Sequence, residues 1–504
     1  MDLALQTSGS EAAAPVGLRF DNRLARLAES YYARVAPMPL PQPRLAHFNA
    51  ETAALLDFDP ACAQRAQFLE TMAGQRIPAG AEPIATVYAG HQFGVYVPRL
   101  GDGRAILLGQ VRNARGELWD VQLKGAGRTP FSRFGDGRAV LRSTIREYLA
   151  GEAMHALRIP STRGLCVIAS SEPVQRETLE TAAILCRLAP CHLRFGHFEY
   201  FYHLGRPDLL APLADHVIDE YFPQLSGQPD RYRHWIAEVI ARNARLVAQW
   251  MAAGFVHGVM NTDNCSVLGL TLDYGPYGFI DRFDAHKVFN HTDETGRYAY
   301  DRQPSVMHWN CTRFVQTCLP LLADAEDEAA AIASELIDGF GPAFTQAMLP
   351  AWRAKLGLCD AHGDDSELIS RFLRLLHQAR ADFARSFRLL GEVRRGDAAP
   401  PRLRSAIAAI PGFDAWLADY RARIEAEGCD DAARAARMNA VNPRYVLRTH
   451  LAQRAIERAQ QGDFCELDRL LQLLRRPFDE QPEFEEYAAP APPDADEVAL
   501  SCSS

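Results

Sequence analysis

The chain has 504 residues, 48% hydrophobic and 23% charged, with a formal net charge of −9. That length and balance build a large globular core, and the negative charge argues against a surface that tracks nucleic-acid phosphates. No apolar run reaches the ~18 residues that span a bilayer, and the start M-D-L-A-L-Q-T-S-G-S-E has neither a secretory nor an Arg-rich transit pattern. The eleven cysteines are scattered without a C-x-x-C, and the closest pair is Cys186 and Cys191 in an apolar setting. Such usage suits buried thiols in a reducing cytoplasm, not a disulfide framework or a zinc site. A cytoplasmic protein with no membrane and no nucleic-acid partner is expected.

Residues 1–45 are mixed: a polar start, an amphipathic piece over 24–32, and an extended Pro-rich stretch. Short helices are expected over 50–75. A β-rich region follows. Gly101-Asp102-Gly103-Arg104 precedes an apolar strand, and the turn 113–116 leads to a second strand ending at Lys124. This is a hairpin pattern. Glycines such as Gly101 and Gly103 let backbone N–H groups approach phosphate oxygens, although a lone G-D-G is most often a β-turn.

Lys124 closes an alternating apolar strand of the kind that ends in the nucleotide-gripping lysine of kinases. Residues 143–158 repeat apolar side chains at helical spacing, and Glu147 lies in the first half of that helix. A Lys124–Glu147 ion pair is expected. Between them, residues 124–138 form a Gly-rich, basic connection that includes Asp136 and Gly137, long enough to be a phosphate or substrate loop. Strands are expected over 164–170 and 181–190. Arg187 interrupts the second, and a charge there needs a partner. Arg187 and Arg194 either converge on one pocket suited to phosphate oxygens or make separate salt bridges.

From Phe195 onward the pattern is helical, with amphipathic segments over 208–222 and 232–253. The second runs into His257-Gly-Val-Met-Asn-Thr-Asp-Asn264, then a short apolar run, then Asp273-Tyr274-Gly275. Kinase-like enzymes place a His at the start of such a loop, an Asn seven residues on as a metal ligand, and an Asp-Phe-Gly-like triplet beyond it. Asn264 and Asp273 fit this pattern. Val259 stands where the proton-accepting Asp belongs and cannot take a proton, and Asp263 is the carboxylate the loop offers instead. Residues 282–304 are irregular. Long helices are expected over 305–323, 326–340, 344–355, 367–386, 413–426, 444–461 and 465–475, and the last ~25 residues read as a mobile acidic tail.

With these motifs assembled, the chain closely resembles the selenoprotein O family, the bacterial YdiU group of protein nucleotidyltransferases. The resemblance rests on Lys124-Gly-Ala-Gly-Arg-Thr-Pro-Phe-Ser-Arg, the His257–Asn264 loop and Asp273-Tyr-Gly-Pro. It implies an α+β, protein-kinase-like two-lobed fold, divided as an N-terminal extension (1–84), an N-lobe (85–195), a C-lobe (196–340), a C-terminal helical extension (341–480) and a flexible tail (481–504). It further implies ATP bound in an inverted pose and AMP transferred to Ser, Thr or Tyr hydroxyls of proteins, self-modification included. UMP transfer from UTP, γ-phosphoryl transfer and a non-catalytic nucleotide-binding scaffold are the alternatives.

Carried onto this chain, the resemblance gives Lys124 and Arg104 to the phosphates, with Glu147 orienting Lys124. Gly101 and Gly103 line the nucleotide, Asp136 and Gly137 cover it, and Arg187 and Arg194 hold the outward-turned phosphates. Asp263 becomes the general base, and Asn264 and Asp273 hold Mg²⁺ or Mn²⁺, with Asp273 also facing the nucleotide. Cys502 occupies the position of the family's selenocysteine and is by that resemblance the candidate redox thiol, but residues 281–300 contain no Cys to pair with it.

Overall fold

The alternation of apolar and polar residues around the turn at Asn113 sets up the central hairpin. Asn113 holds the turn by accepting from the Glu117 N–H at 2.9 Å. The computed structural model describes residues 17–397, 400–407, 410–493, 495 and 500. Its first lobe is an antiparallel sheet flanked by short helices. In chain order the strands are β1 (Tyr32–Arg34), β2 (Arg44–Phe48), β3 (Ile84–Thr86), β4 (Gly90–Gln92), β5 (Val95–Val97), β6 (Ala105–Arg112), β7 (Leu118–Lys124), β8 (Ala139–Val140), β9 (Arg163–Gln175) and β10 (Leu179–Ala189). The sheet runs β1-β3-β6-β7-β10-β9-β2, with β8 on β10, while β4 and β5 form a separate hairpin. Helices α1 (Ala50–Ala53) and α2 (Ala66–Met72) precede β3, and α3 (Leu141–Ala156) crosses the sheet from β8 to β9.

Register explains how this lobe gathers charge. Arg187 on β10 stands opposite Gln122 on β7, two residues before Lys124. Side chains alternate faces with period two, so Lys124, Gln122 and Arg187 share the face that α3 covers.

The second lobe is helical: α4 (Phe195–His203), α5 (Leu210–Tyr221) and α6 (Arg231–Ala253), with α7 (Gln303–Thr317) and α8 (Glu326–Asp338) further on. Helix α6 stops at Gly254 in the left-handed conformation, a glycine C-cap. The chain then enters β11 (Phe255–Val256), which pairs with β12 (Gly278–Phe279). Everything between those two short strands is one excursion, and it carries the His257 loop and Asp273.

The remaining helices are α9 (Phe340–Leu356), α10 (Asp365–Ala379), α11 (Phe383–Leu390), α12 (Pro401–Ile407), α13 (Phe413–Ala426), α14 (Asp431–Asn439), α15 (Thr449–Gln460) and α16 (Cys465–Leu474). Helices α9 to α14 build a second hydrophobic core around Phe372, Phe387 and Trp416, whereas α15 and α16 join the first. Helices α15 and α16 return to pack on α3 of the first lobe. Arg475 donates to the Asn49 side chain at 2.8 Å, and Asp468 pairs with His47 at 3.1 Å. The extension therefore braces the lobe that holds Lys124 and Glu147.

Three expectations change. The single helix expected over 367–386 is two, because Arg380 turns left-handed and residues 281–283 pair with 381–383. Asp382 then caps α11, accepting from the Arg385 N–H at 3.0 Å. The helix expected from 444 begins at Thr449, because buried Arg448 ahead of it reaches Asp281 and Asp382. The tail expected to be mobile is, in its described part, laid on the body. Phe484 and Tyr487 are buried, the Tyr487 hydroxyl meets Glu466, and the Leu500 carbonyl accepts from the His291 N–H at 3.1 Å. Apolar side chains, not the acidic ones, decide that segment. Cys502 lies outside the described residues.

Candidate active site

A cleft of about 680 Å³ opens between the lobes, and its lining includes Gly101, Gly103, Arg104, Lys124, Asp136, Gly137, Arg187, Arg194, Asp263, Asn264 and Asp273. The expected site residues thus come together in one place. Glu147 stands behind them on α3. It pairs with the Lys124 ammonium through one oxygen and with Arg187 at 2.6 Å through the other. Burial alone would raise the Glu147 carboxyl, but Lys124 and Arg187 outweigh it and hold it below the usual range. Burial also pulls the Lys124 ammonium below the ordinary lysine range, offset in part by Glu147 and Asp273.

The two arginines do converge. Arg187 reaches Asp273 Oδ1 at 2.5 Å, Arg194 pairs with Asp273 Oδ2, and Lys124 lies 3.4 Å from Oδ1. Burial works to raise the Asp273 carboxyl, yet these three cations hold it well below the usual carboxylate range. Asp273 has φ +56°, unfavourable for a residue with a Cβ and of the kind that concentrates at functional sites. Buried His257 anchors that turn: its Nε2 donates to the Leu272 carbonyl at 2.9 Å, and burial lowers its imidazole below the ordinary histidine range.

Asp263 is treated differently. It sits in the single 3₁₀ turn Thr262–Asn264. Its Oδ1 is buried with no hydrogen-bond partner, and its Oδ2 accepts only from Gln92 at 3.3 Å. Burial pushes its carboxyl up to about 7. The turn is fixed from three sides. Thr262 Oγ1 donates to buried Glu199 at 2.8 Å and accepts from the His91 N–H at 2.7 Å, while Arg194 donates to the Asp263 carbonyl at 2.8 Å. A side chain on Gly90 would put its Cβ 2.8 Å from Asp263 Cβ, so strand β4 packs directly on the turn. Val259 also lines the cleft, and Asn264 Nδ2 donates to the Val259 carbonyl at 2.9 Å. That bond occupies the Asn264 amide nitrogen and leaves its oxygen as the donor atom the residue could offer a cation.

On the other wall, Gly101 adopts φ +91°, and a Cβ there would meet the Phe131 ring and the Thr86 carbonyl. Asp102 faces inward and accepts from Thr86 N–H and Oγ1 at 2.9 and 2.6 Å. The G-D-G is therefore both a tied turn and a glycine wall. Asp136 is gripped by Arg176 at 2.7 and 3.0 Å, which pins the Gly-rich loop to the end of β9.

Sequence reasoning missed Tyr88, Gly90, Gln92, Arg176 and Glu199. Tyr88 lies under Arg194, with the guanidinium carbon 4.9 Å from its ring. Gly90 to Gly94 carried a turn signal, G-H-Q-F-G, just before the region read as β-rich. Nothing in the sequence marks Glu199, which acts by burial on α4.

The donor set fits a hard divalent cation. The Asn264 amide oxygen and the Asp273 carboxylate are oxygen donors of the kind Mg²⁺ and Mn²⁺ take, with room for phosphate oxygens and water. Among the described residues no cluster of three His, Cys, Asp or Glu offers an all-protein metal cage.

A two-lobed, kinase-like fold with three cations on one cleft carboxylate, and a second carboxylate kept clear of them, defines a phosphate-handling transferase. The chain matches the family model "Protein adenylyltransferase SelO" over residues 15–475. It is 55% identical over 482 residues to the protein nucleotidyltransferase YdiU of Methylococcus capsulatus, covering 95% of each chain. It is 53% identical to that of Myxococcus xanthus (97% of this chain, 99% of the other) and 51% identical to that of Azotobacter vinelandii, at the same coverage. The chain belongs to the SelO family and is a nucleotidyltransferase.

Proposed function

We propose that this enzyme transfers AMP from ATP to Ser, Thr or Tyr hydroxyls of proteins, with Asp263 as the general base. One observation carries the reading: Asp263 Oδ1 is a buried carboxylate oxygen with no partner, while Val259 fills the position a kinase gives to its base. A base must leave an oxygen free for the incoming proton. The hydroxyl oxygen attacks the α-phosphorus, its proton passes to Asp263 Oδ1, and the bond from the α-phosphorus to the bridging oxygen breaks to release pyrophosphate. Lys124, Arg187, Arg194 and Arg104 bind and orient the phosphates, and their charge favours the leaving pyrophosphate. Glu147 keeps Lys124 and Arg187 in place. A divalent cation held by Asn264 and Asp273 would neutralise phosphate charge when bound.

Phosphates entering the cleft compete with Asp273 for its three cations, so binding of nucleotide and opening of the Asp273 cluster are one event. UTP is the alternative donor for the same site. The test is label transfer to protein from ATP labelled at the α- or the γ-phosphorus, with UTP labelled at the α-phosphorus in parallel. Protein labelled from an α position alone supports the reading, and the more efficient nucleotide names the donor. Label from the γ position alone makes the enzyme a kinase and sinks it.

A further inference from the structure

The hairpin β4–β5 turns through Phe93 and Gly94, since Gln92 pairs directly with Val95. Both central residues have positive φ, +51° and +83°. That is the two-residue turn for which Asn-Gly is the preferred sequence, because a bulky side chain is disfavoured at positive φ. An aromatic residue holds the first position nonetheless. It is not there to fill a core: Phe93 is 38% exposed, and Val95 beyond the turn is 68% exposed. The turn is held in place, because the Phe93 N–H donates to the buried Tyr298 hydroxyl at 2.8 Å and Tyr298 donates to Asn261 at 2.6 Å. Phe93 lines the cleft, and its neighbour Gln92 touches Asp263. Strained positions that the surroundings enforce mark functional sites.

We infer that Phe93, with Val95, selects the acceptor: it receives an apolar side chain next to the hydroxyl-bearing residue of the protein substrate. This rests on the transfer reading above. A base takes its proton from the acceptor, so the acceptor approaches from the Asp263 side of the cleft, where this hairpin forms the rim. The Lys124 and Arg187 cations stand on strands β7 and β10, and Arg194 bridges the Asp273 carboxylate and the Asp263 backbone. Around the turn stand the Tyr298 and Trp309 rings and Arg297, whose guanidinium lies 4.8 Å from the Trp309 ring centre and packs against Gly94, together with the Asp263 and Asp293 carboxylates. Neutral flanking residues therefore make the cleanest probes.

The test uses two peptides that differ only in having Leu or Gln on both sides of a central Ser, with ATP labelled at the α-phosphorus. The full-length enzyme should favour the Leu peptide by roughly tenfold in kcat/KM, the discrimination of a modest apolar contact. Phe93→Asn should abolish most of that preference by raising the KM for the Leu peptide. It should leave the KM for ATP unchanged and leave Tm unchanged or raised, because Asn tolerates the turn. Phe93→Leu, which keeps an apolar surface, should retain the preference. No preference in the unaltered enzyme, an unchanged preference in Phe93→Asn, or a raised KM for ATP alone overturns the inference and leaves the transfer reading standing. No α-label on either peptide or on the enzyme itself overturns both.

Discussion

Two carboxylates, fewer than a dozen residues apart in the chain, face the same cleft under opposite electrostatics. Asp273 is oversupplied with positive charge by Lys124, Arg187 and Arg194 and stays ionised. Asp263 is buried with one oxygen unpartnered, and its carboxyl is pushed up to about 7. The difference shows that charge in this cleft is allotted by side-chain placement and not by proximity alone. Arg194 approaches both residues, yet it gives its guanidinium to the Asp273 carboxylate and to the backbone carbonyl of Asp263. The backbone contact positions the Asp263 turn without capping its unpartnered oxygen, the one proposed to take the proton.

The comparison breaks most sharply at Asp263. Asp263→Asn should lower transfer by ~10²–10⁴-fold, the usual worth of a general base, while ATP binding measured by calorimetry persists. Full activity in that variant would mean that another group accepts the proton. Asp273→Asn should behave differently. It strips the carboxylate from buried Arg194 and leaves a partly uncompensated charge cluster, a loss of the order of 3–5 kcal/mol, read as a clear fall in Tm without ligand. If Asp263→Asn and Asp273→Asn melt alike, the contrast drawn from their surroundings is mistaken.

Glu147→Gln sharpens the same point from behind. Loss of a charge-assisted bond of about 1.5–3 kcal/mol should loosen Lys124 and Arg187 and weaken ATP binding by roughly 10–100-fold, with Asp263 still in place. The smallest effect on transfer should come from a buried charge that does not line the cleft. Lys355 lies over the Phe383 and Phe387 rings, and burial pulls its ammonium down to about 7. The folded form therefore binds its proton more weakly than the unfolded form, and stability should rise with pH from about 7 upward. Lys355→Met should raise Tm below pH 7 and do so less at pH 9. An equal gain at both pH values would show that the residue does not titrate in this range.

Much of the cleft was legible in the sequence because its chemistry falls on short, spaced motifs. Lys124 ends an alternating strand, Glu147 lies on the next helix, and Asn264 and Asp273 keep their distances from His257. Such local patterns survive without knowledge of packing. The residues that escaped notice act through packing: Gly90 by having no side chain against Asp263, Glu199 by burial beneath Thr262, and Gln92 by reaching from its hairpin to an Asp263 that is distant in sequence. The helix break at Arg380 escaped for a related reason, since it follows from strand-like pairing with residues a hundred positions earlier.

The sequence by itself determined the alternation of the strands, the helical periodicities, the Val259 departure and the carboxylate beside Asn264, because these are fixed by residue type and spacing along one chain. Only the tertiary structure decided whether Arg187 and Arg194 would meet, that both would meet at Asp273, and that Asp263 would keep a free oxygen. Those outcomes depend on strand register, on the return of α15 and α16 onto α3, and on burial. Convergence and desolvation are properties of groups brought together from distant parts of the chain, and no local pattern encodes them.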